Sequence, residues 1–566
     1  MKPSRAESGS ALDAPRQTTE QIISAFEAFL ADYPKTAVVE EGKVLFDMSR
    51  ANYSIRESYG RCTLHLWDEQ RNIVRTLSAA AMRASGLRLT THRFGQSKPG
   101  SLELLKDRER RTPIGRDTTR ARYLSLLERV MVRGSGLHWG EWKPEGFRTA
   151  MDLEKSFGPA YARGSLIHGQ QAWAVIGINR DEAPALVEGI LTLGVLWLHE
   201  CRENAGGKRL YRGLRIVAPK GMGTLTASRL AWMNTQAAQW ELWELDERSE
   251  DLQQRDPADH GNLATRLVQA ADEGTVRDRF REATQRVMAL VPEEMRGLVE
   301  QRIRGAAEMA FLLHGLEFAR VRAGYTGQSF NRIDEITVGA GAQETVLNER
   351  NRDELRAIIA ELFERRRAVE VHCDAVGANR IRPAQDTTRA NDPLYRMQPE
   401  RWLESVLRRD VKSLDERLDA MHVYTQVPAF AAADRGMLDL LGVDREGRLA
   451  VIELKADEDL HLALQGLDYW IRVRWHHIQS ADPASGLGEF QRHGYFRGVR
   501  LSPEPPRLYL VAPALRVHPA TEIVLRYLSP RVEWELIALD ERWREKVRVV
   551  WRKRNSAPAA SRALNH

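Results

Sequence analysis

Apolar residues recur along the chain with two periods, and the switches between them mark its segments. Near the start, "EQIISAFEAFL" carries apolar positions at three- and four-residue spacing, the pattern of an amphipathic helix. "RCTLHLW" and "LRLTTHRF" then alternate apolar and polar, as half-buried strands do. Residues 19–110 therefore read as a small α+β region, preceded by residues 1–18, whose composition is that of a disordered terminus. Residues 111–120 ("RTPIGRDTTR") read as a polar, charged connection. "ALVEGILTLGVLWLH" (185–199) is the most apolar run; it is too short for the ~20 residues a bilayer needs and is expected as a buried helix. From about 255 to 375 the spacing predicts a mainly helical domain. It includes "RFREATQRVMAL", then "EEMRGLVEQRIRGAAEMAFLLHGLEFARVRA" after Pro292, and "NERNRDELRAIIAELFERRRA". Residues 376–395 have linker composition, residues 396–553 form a last domain, and 554–566 is a loose tail.

The chain also repeats itself. "WELWELDER" (Trp240–Arg248) and "WELIALDER" (Trp534–Arg542) agree at seven of nine positions. Upstream lie "LRIVAPKG" (Leu214–Gly221) and "LYLVAPAL" (Leu508–Leu515), with 21 residues from Pro to Trp in each case. Further upstream are "AWAVIGINRDE" and "RLAVIELKADE", then "ARGSLIHG" and "DRGMLDLLG", then "LLERVMVR" and "LESVLRRD". Five similarities in one order imply that residues 118–250 and 396–545 are two copies of one fold. Each reads helix, strand, turn, strand, helix, strand, helix, strand: an α/β unit with a mixed sheet covered by helices.

Composition adds limits. With 566 residues the chain is too long for one core, and 43% hydrophobic with 29% charged residues is the composition of a soluble globular protein, so neither disorder nor a membrane class is the default. A net charge of +6 is compatible with a polyanionic partner without requiring one. The three cysteines, Cys62, Cys201 and Cys373, share no short spacing, and "MKPSRAESGSALDAPRQ" has no apolar signal core. The expectation is a cytoplasmic protein with no membrane partner.

The candidate chemistry sits in "GMLDLLGVDREGRLAVIELK". It reads as a hairpin turning at "DREG", which places Asp439 roughly opposite Glu453. Glu453 and Lys455 share one strand face. Charges in so apolar a run are costly to bury unless something pairs with them. Two carboxylates with an intervening backbone carbonyl, that of Leu454, suit a hard divalent ion, Mg²⁺ or Mn²⁺. Lys455 would position the attacking water or stabilise a transition-state phosphate. On the next helix Gln465 and Tyr469, four apart, point to one side, to steady the ligands or orient phosphate. Glu404, on the helix "QPERWLESVLRRD", is a candidate third ligand; the alternative is a surface pair with Arg408.

The set Asp439, Glu453-x-Lys455 and Gln465-x-x-x-Tyr469 resembles the PD-(D/E)xK nuclease superfamily, nearest to its RecB-like and NucS-like members. The resemblance covers residues 396–545, about a quarter of the chain; the superfamily's Pro before the Asp is replaced by Leu438. It implies a restriction-endonuclease-like α/β core and metal-dependent hydrolysis of phosphodiester bonds, with DNA ahead of RNA as substrate, in repair or in defence against foreign DNA. The alternative is a catalytically silent nucleic-acid-binding or scaffold protein on the same fold. In the first copy, string alignment puts Ile167 at the Asp439 position, Gly177 at Glu453, Asn179 at Lys455 and Glu128 at Glu404. That copy is expected to be inactive, as a nucleic-acid-binding module or a pseudo-dimer partner within the chain; a homo-oligomer is also open.

Weaker features carry less. "RWREKVRVVWRKR" fits a phosphate-contacting strand or a charge-protected edge. "APKGMGTLTAS" lacks the ending of a P-loop, and "VHCD" (371–374) lacks further metal ligands nearby.

Overall fold

The computed structural model describes residues 17–33, 36–40, 43–48, 51–58, 61–67, 72–83, 86–92, 100–105, 113–133, 142–152, 156–256, 265–325, 332–339, 344–366, 392–431, 434–478 and 487–555. Residues 1–16, "VHCD", most of the linker segment and the tail beyond 555 lie outside them. The chain divides into two units, Met1–Asp117 with Thr337–Val346, and Thr118–Ile336 with Leu347–His566.

In the first unit, helix Thr19–Asp32 starts at a capping box in which Thr18 and Gln21 exchange backbone-to-side-chain hydrogen bonds. Its Ile22, Phe26, Phe29 and Leu30 pack on an antiparallel seven-stranded sheet that includes Arg61–Trp67 and Gly86–His92. This is the expected α+β region.

The segment expected as a connection is instead the start of helix α1 (Pro113–Arg133), most of which belongs to the second unit. Pro113 takes the first helical position, where its missing N–H costs nothing. Six strands follow in chain order: β1 (Lys143–Arg148), β2 (Tyr161–His168), β3 (Gln171–Ile178), β4 (Leu210–Pro219), β5 (Gln239–Asp246) and β6 (Asp251–Arg255). Helix α2 (Ile190–Asn204) joins β3 to β4, and α3 (Thr224–Leu230) joins β4 to β5. The run Ile190–Leu198 is buried on every side, which explains its unbroken apolar sequence.

The expectation of a mainly helical 255–375 fails at its centre. Helices Glu273–Arg279, Arg281–Met288 and Arg352–Arg366 are present, but the long run between them forms β7 (Val299–Gly305), β8 (Glu308–Leu313) and β9 (Leu316–Tyr325). These are antiparallel neighbours. Short continuous apolar runs satisfy both periods. The decisive local signal is His314-Gly315, with φ of 46° and 75°, a two-residue turn whose twist suits a hairpin. A Cβ on Gly315 would stand 2.1 Å from the Arg401 carbonyl, so only glycine fits.

The last segment comprises α4 (Pro399–Arg409), β10 (Tyr424–Ala431), β11 (Asp434–Val443), β12 (Leu449–Leu454), α5 (Leu462–Ile478), β13 (Arg507–Pro513), α6 (Pro519–Arg526), β14 (Trp534–Leu539) and β15 (Val549–Arg554). Its sheet runs β10-β11-β12-β13-β14-β15, with the short strand Thr265–Leu267 added at the β10 edge, and the earlier one runs β1-β2-β3-β4-β5-β6. Directions agree step by step: antiparallel, antiparallel, parallel, parallel, antiparallel. Leu214 pairs with Trp240 and Leu508 with Trp534, so the repeated motifs hold identical places. The chain is thus α/β, with a mixed sheet in each copy.

The two copies meet through reciprocal surfaces. Asn234 N donates to Tyr527 O and Ser529 N to Trp232 O, both at 2.8 Å, around a bridge between Met233 and Leu528. Helix α2 packs on α6 and α5 on α3, and one continuous apolar core crosses the junction. Arg229 of α3 makes a two-pronged ion pair with Asp468 of α5 (2.8 and 2.5 Å) and donates to Glu188 O. Among the described residues no helix is long and apolar enough to cross a membrane.

Candidate active site

The hairpin that carries the candidate residues is held at its turn. Asp444 Oδ1 accepts from Glu446 N and Arg448 N, and its other oxygen takes Arg507. Gly447 has φ 84°, and a Cβ there would meet the Arg500 carbonyl at 2.1 Å. The turn fixes the register Leu441↔Val451 and Leu440↔Ile452. One step further brings Asp439 opposite Glu453. There the ladder stops, and Asp439 Oδ2 accepts from Leu454 N at 2.9 Å.

Glu453 is 2% exposed. Helix α5 lies over it: a Cβ on Gly466 would be 3.6 Å from Glu453 Cβ and 2.4 Å from Leu510 Cδ2, so glycine permits the close approach. Lys455 Nζ is 3.4 Å from Glu453 Oε1 and 3.8 Å from both Glu400 Oε1 and Asp459 Oδ2. Glu453 Oε2 and Gln465 Oε1 are buried with no hydrogen-bond donor. Tyr469 stands close enough for the charges of Glu453 and Asp439 to add to burial in raising its hydroxyl pKa. The structure therefore gathers Asp439, Glu453, Lys455 and Tyr469 around one strand end, with Gln465 one turn before Tyr469 on α5.

Electrostatics mark this as an unusual place. Burial, with the nearby Glu404 and Glu400, raises the Asp439 carboxyl to about 6 against the restraining Leu454 N–H. Burial and the facing Asp439 push Glu453 well above the ordinary carboxylate range. Burial alone would lower Lys455, but Glu453, Glu400, Asp459 and Asp439 together raise it, so it stays protonated. Burial and mutual repulsion thus disfavour the ionised form of both carboxyls, a cost that the Lys455 ammonium only partly offsets.

Glu404 is also buried, at 2%, yet it is engaged elsewhere. Its Oε1 is 2.9 Å from Arg302 Nη1 of β7, and its Oε2 accepts from Gln426. The expected alternative pair with Arg408 is not formed; Arg408 reaches Glu300. One turn earlier on α4, Glu400 faces Lys455 and was missed. The signal was its i, i+4 spacing from Glu404. Among the described residues no group of three or more His, Cys, Asp or Glu side chains is assembled as a metal cage. The oxygens on offer are those of Asp439 and Glu453, with Gln465 Oε1 unclaimed.

The first copy needs a corrected alignment. Ala174, Ile176 and Ile178 face α2, while Trp173 and Val175 face α1. In the second copy Val451 faces α5, and Ala450, Ile452 and Leu454 face α4. Leu214 pairs with Ala174 as Leu508 pairs with Val451. Gly194 lies over Ile176 as Gly466 lies over Glu453. Ile176 therefore occupies the Glu453 position, not Gly177, and Ile178 the Lys455 position, not Asn179. The strand partner of Ile176 is Arg163, which replaces Ile167 as the counterpart of Asp439. Matching the letters "AVI" without a gap slipped the strand by one and reversed its faces. Glu128 is exposed and does not stand where Glu404 does. A buried guanidinium beside Phe157 and Trp197 fills the place of the acidic pair.

The weaker features resolve simply. The glycine-rich turn after β4 gives its Gly221 and Gly223 N–H groups to Glu244, leaving no phosphate cradle there. β15 is an edge strand, with Arg552 on Glu535 and Lys553 on Glu522. No protein-family model and no curated protein matches the chain.

Proposed function

We propose that this chain is a metal-dependent nuclease of the PD-(D/E)xK type, with residues 396–545 as its catalytic, restriction-endonuclease-like domain. The observation that carries the reading is the pair Asp439 and Glu453. They are brought opposite each other in a dry site beside a protonated Lys455, with Glu453 Oε2 lacking any donor. The second copy's own fold mate supports a chemical purpose, because it completes the same sheet with Ile176 in place of Glu453.

Asp439, Glu453 and the Leu454 carbonyl would hold Mg²⁺ or Mn²⁺. Such an ion neutralises phosphate charge and lowers the pKa of bound water. Lys455 places a fixed positive charge where the attacked phosphate gathers negative charge. Glu400 and Asp459 keep that ammonium protonated and aimed. Tyr469 and Gln465 line the helix side and orient the phosphate or the attacking water. The first copy acts as a rigid partner: Arg229 grips Asp468, the residue before Tyr469. Cytoplasmic DNA, in repair or in defence against foreign DNA, is the substrate we favour over RNA.

The test is cleavage of labelled nucleic acids with Mg²⁺ or Mn²⁺ by the full chain and by Lys455→Ala and Glu453→Ala. Loss of cleavage in both variants supports the reading. Equal cleavage by all three removes it.

A further inference from the structure

Next to the acidic pair, on the far side of β10, lies an open cleft of about 810 Å³. Gln426 connects the two places. It sits between Thr425↔Leu440 and Val427↔Leu438, hence opposite Asp439 in the strand register. Its side chain donates to Glu404 and accepts from Arg304. The cleft walls come from separate parts of the second unit: helix Glu273–Arg279, β7, the end of α4, β10 and the turn around Arg497.

Its charge is one-sided. Arg277, Arg302, Arg304, Arg408, Arg409 and Arg497 line it, against the acids Asp272 and Glu273. Arg302 is buried and held by Glu300 and Glu404, so it belongs to the framework. The others reach solvent: the Arg277 side chain is 47% exposed and Arg497 64%. Arg408 is held by the buried Glu300, and the remaining four are tethered by surface-type contacts, Arg277 to Glu273, Arg304 to Glu317, Arg497 to Asp272 and Arg409 to the Leu298 carbonyl. Exposed pairs of this kind are worth ~0–1 kcal/mol each, so a phosphate exchanges for them at little cost.

We infer that this arginine-lined cleft binds one strand of nucleic acid and leads it to the strand end that carries Asp439 and Glu453. The inference rests on the nuclease reading for its consequence and on the cleft alone for its binding. A spread of guanidinium groups matches successive backbone phosphates and recognises no base sequence. A cleft of about 810 Å³ takes a short run of one strand, or a frayed end, rather than a duplex with two backbones and paired bases. The β7–β9 meander supplies one wall, which gives a role to a segment that resembles no catalytic element.

The experiment uses the full chain in EDTA, where cleavage cannot occur. Fluorescence anisotropy is read with a labelled single-stranded DNA longer than one ~4–16-nucleotide site, and with its duplex. The variants are Arg277→Glu, Arg409→Glu and Arg497→Glu together; Arg497→Lys as the charge-keeping variant; and Arg552→Glu on β15 as the control. Thermal melts check that each variant is folded. The expected result is single-strand binding tighter than duplex binding, and a loss of tenfold or more in the triple variant. The salt dependence should also fall by about 0.7 log unit for each phosphate contact removed. Arg497→Lys and Arg552→Glu keep wild-type binding. Single-strand affinity that is unchanged in the triple variant, or reduced as much by Arg552→Glu, overturns the inference. Either result leaves the nuclease reading standing if metal-dependent cleavage persists. Cleft-dependent binding without cleavage would instead sink the nuclease reading and keep this one.

Discussion

Asp439→Asn isolates the electrostatic cost built into the site. Burial pushes the Asp439 carboxyl up to about 6, against 3.8 for an unperturbed aspartate, and its Oδ2 is engaged by Leu454 N, a bond the Asn oxygen can keep. The sign follows from proton uptake. The folded state holds its proton above the pH at which the unfolded chain has lost it, so rising pH favours unfolding between about 4 and 6. Above that window the penalty is constant, at about 3 kcal/mol from ~1.4 kcal/mol per pKa unit. An uncharged Asn escapes it. The variant is therefore expected to be more stable than the wild type at about pH 7.5 by up to that amount, with the gap closing as pH falls toward 4. Chemical denaturation in EDTA across this range reads it directly. Mn²⁺ narrows or closes the gap, since ligand at 100 times its Kd adds ~2.7 kcal/mol to the wild type only. A variant less stable than the wild type at neutral pH, or a gap independent of pH, would refute the argument that burial makes the ionised Asp439 costly.

The hairpin and its acids were legible because a turn sequence and strict alternation fix which residues face each other. The repeat was legible because both copies keep "VAP" and "WEL" at one spacing, and the sheets use them in one register. What escaped was what depends on partners distant in sequence. The pairing of Glu404 with Arg302 needs β7, and that strand was hidden in an apolar run compatible with either period. The one-residue slip between "AVIGIN" and "AVIELK" could be seen only from faces, since each strand is apolar on both.

Lys455→Ala should lower metal-dependent cleavage by about 10²–10³-fold, while calorimetry shows Mn²⁺ still bound. Arg229→Ala leaves Asp468 buried without its partner and should cost about 3–5 kcal/mol in denaturant melts, with turnover falling through movement of α5. Gly466→Ala forces α5 off Leu510 and should destabilise by about 1–3 kcal/mol, with loss of cleavage; unchanged activity would show that the helix is not seated on Glu453 as described. Ile176→Val, in the corresponding place of the first copy, should cost about 0.5–1.5 kcal/mol and leave cleavage per folded molecule unchanged.

The central claim is that Glu453 and Asp439 exist to hold a divalent ion for phosphodiester hydrolysis. Its most direct test is cleavage of single-stranded DNA by the purified full chain, with Mg²⁺, with Mn²⁺ and with EDTA, beside Glu453→Gln, which keeps shape and removes charge. The account predicts cleavage with either metal, none with EDTA and none by the variant. Metal-independent cleavage, or equal cleavage by Glu453→Gln, would contradict it.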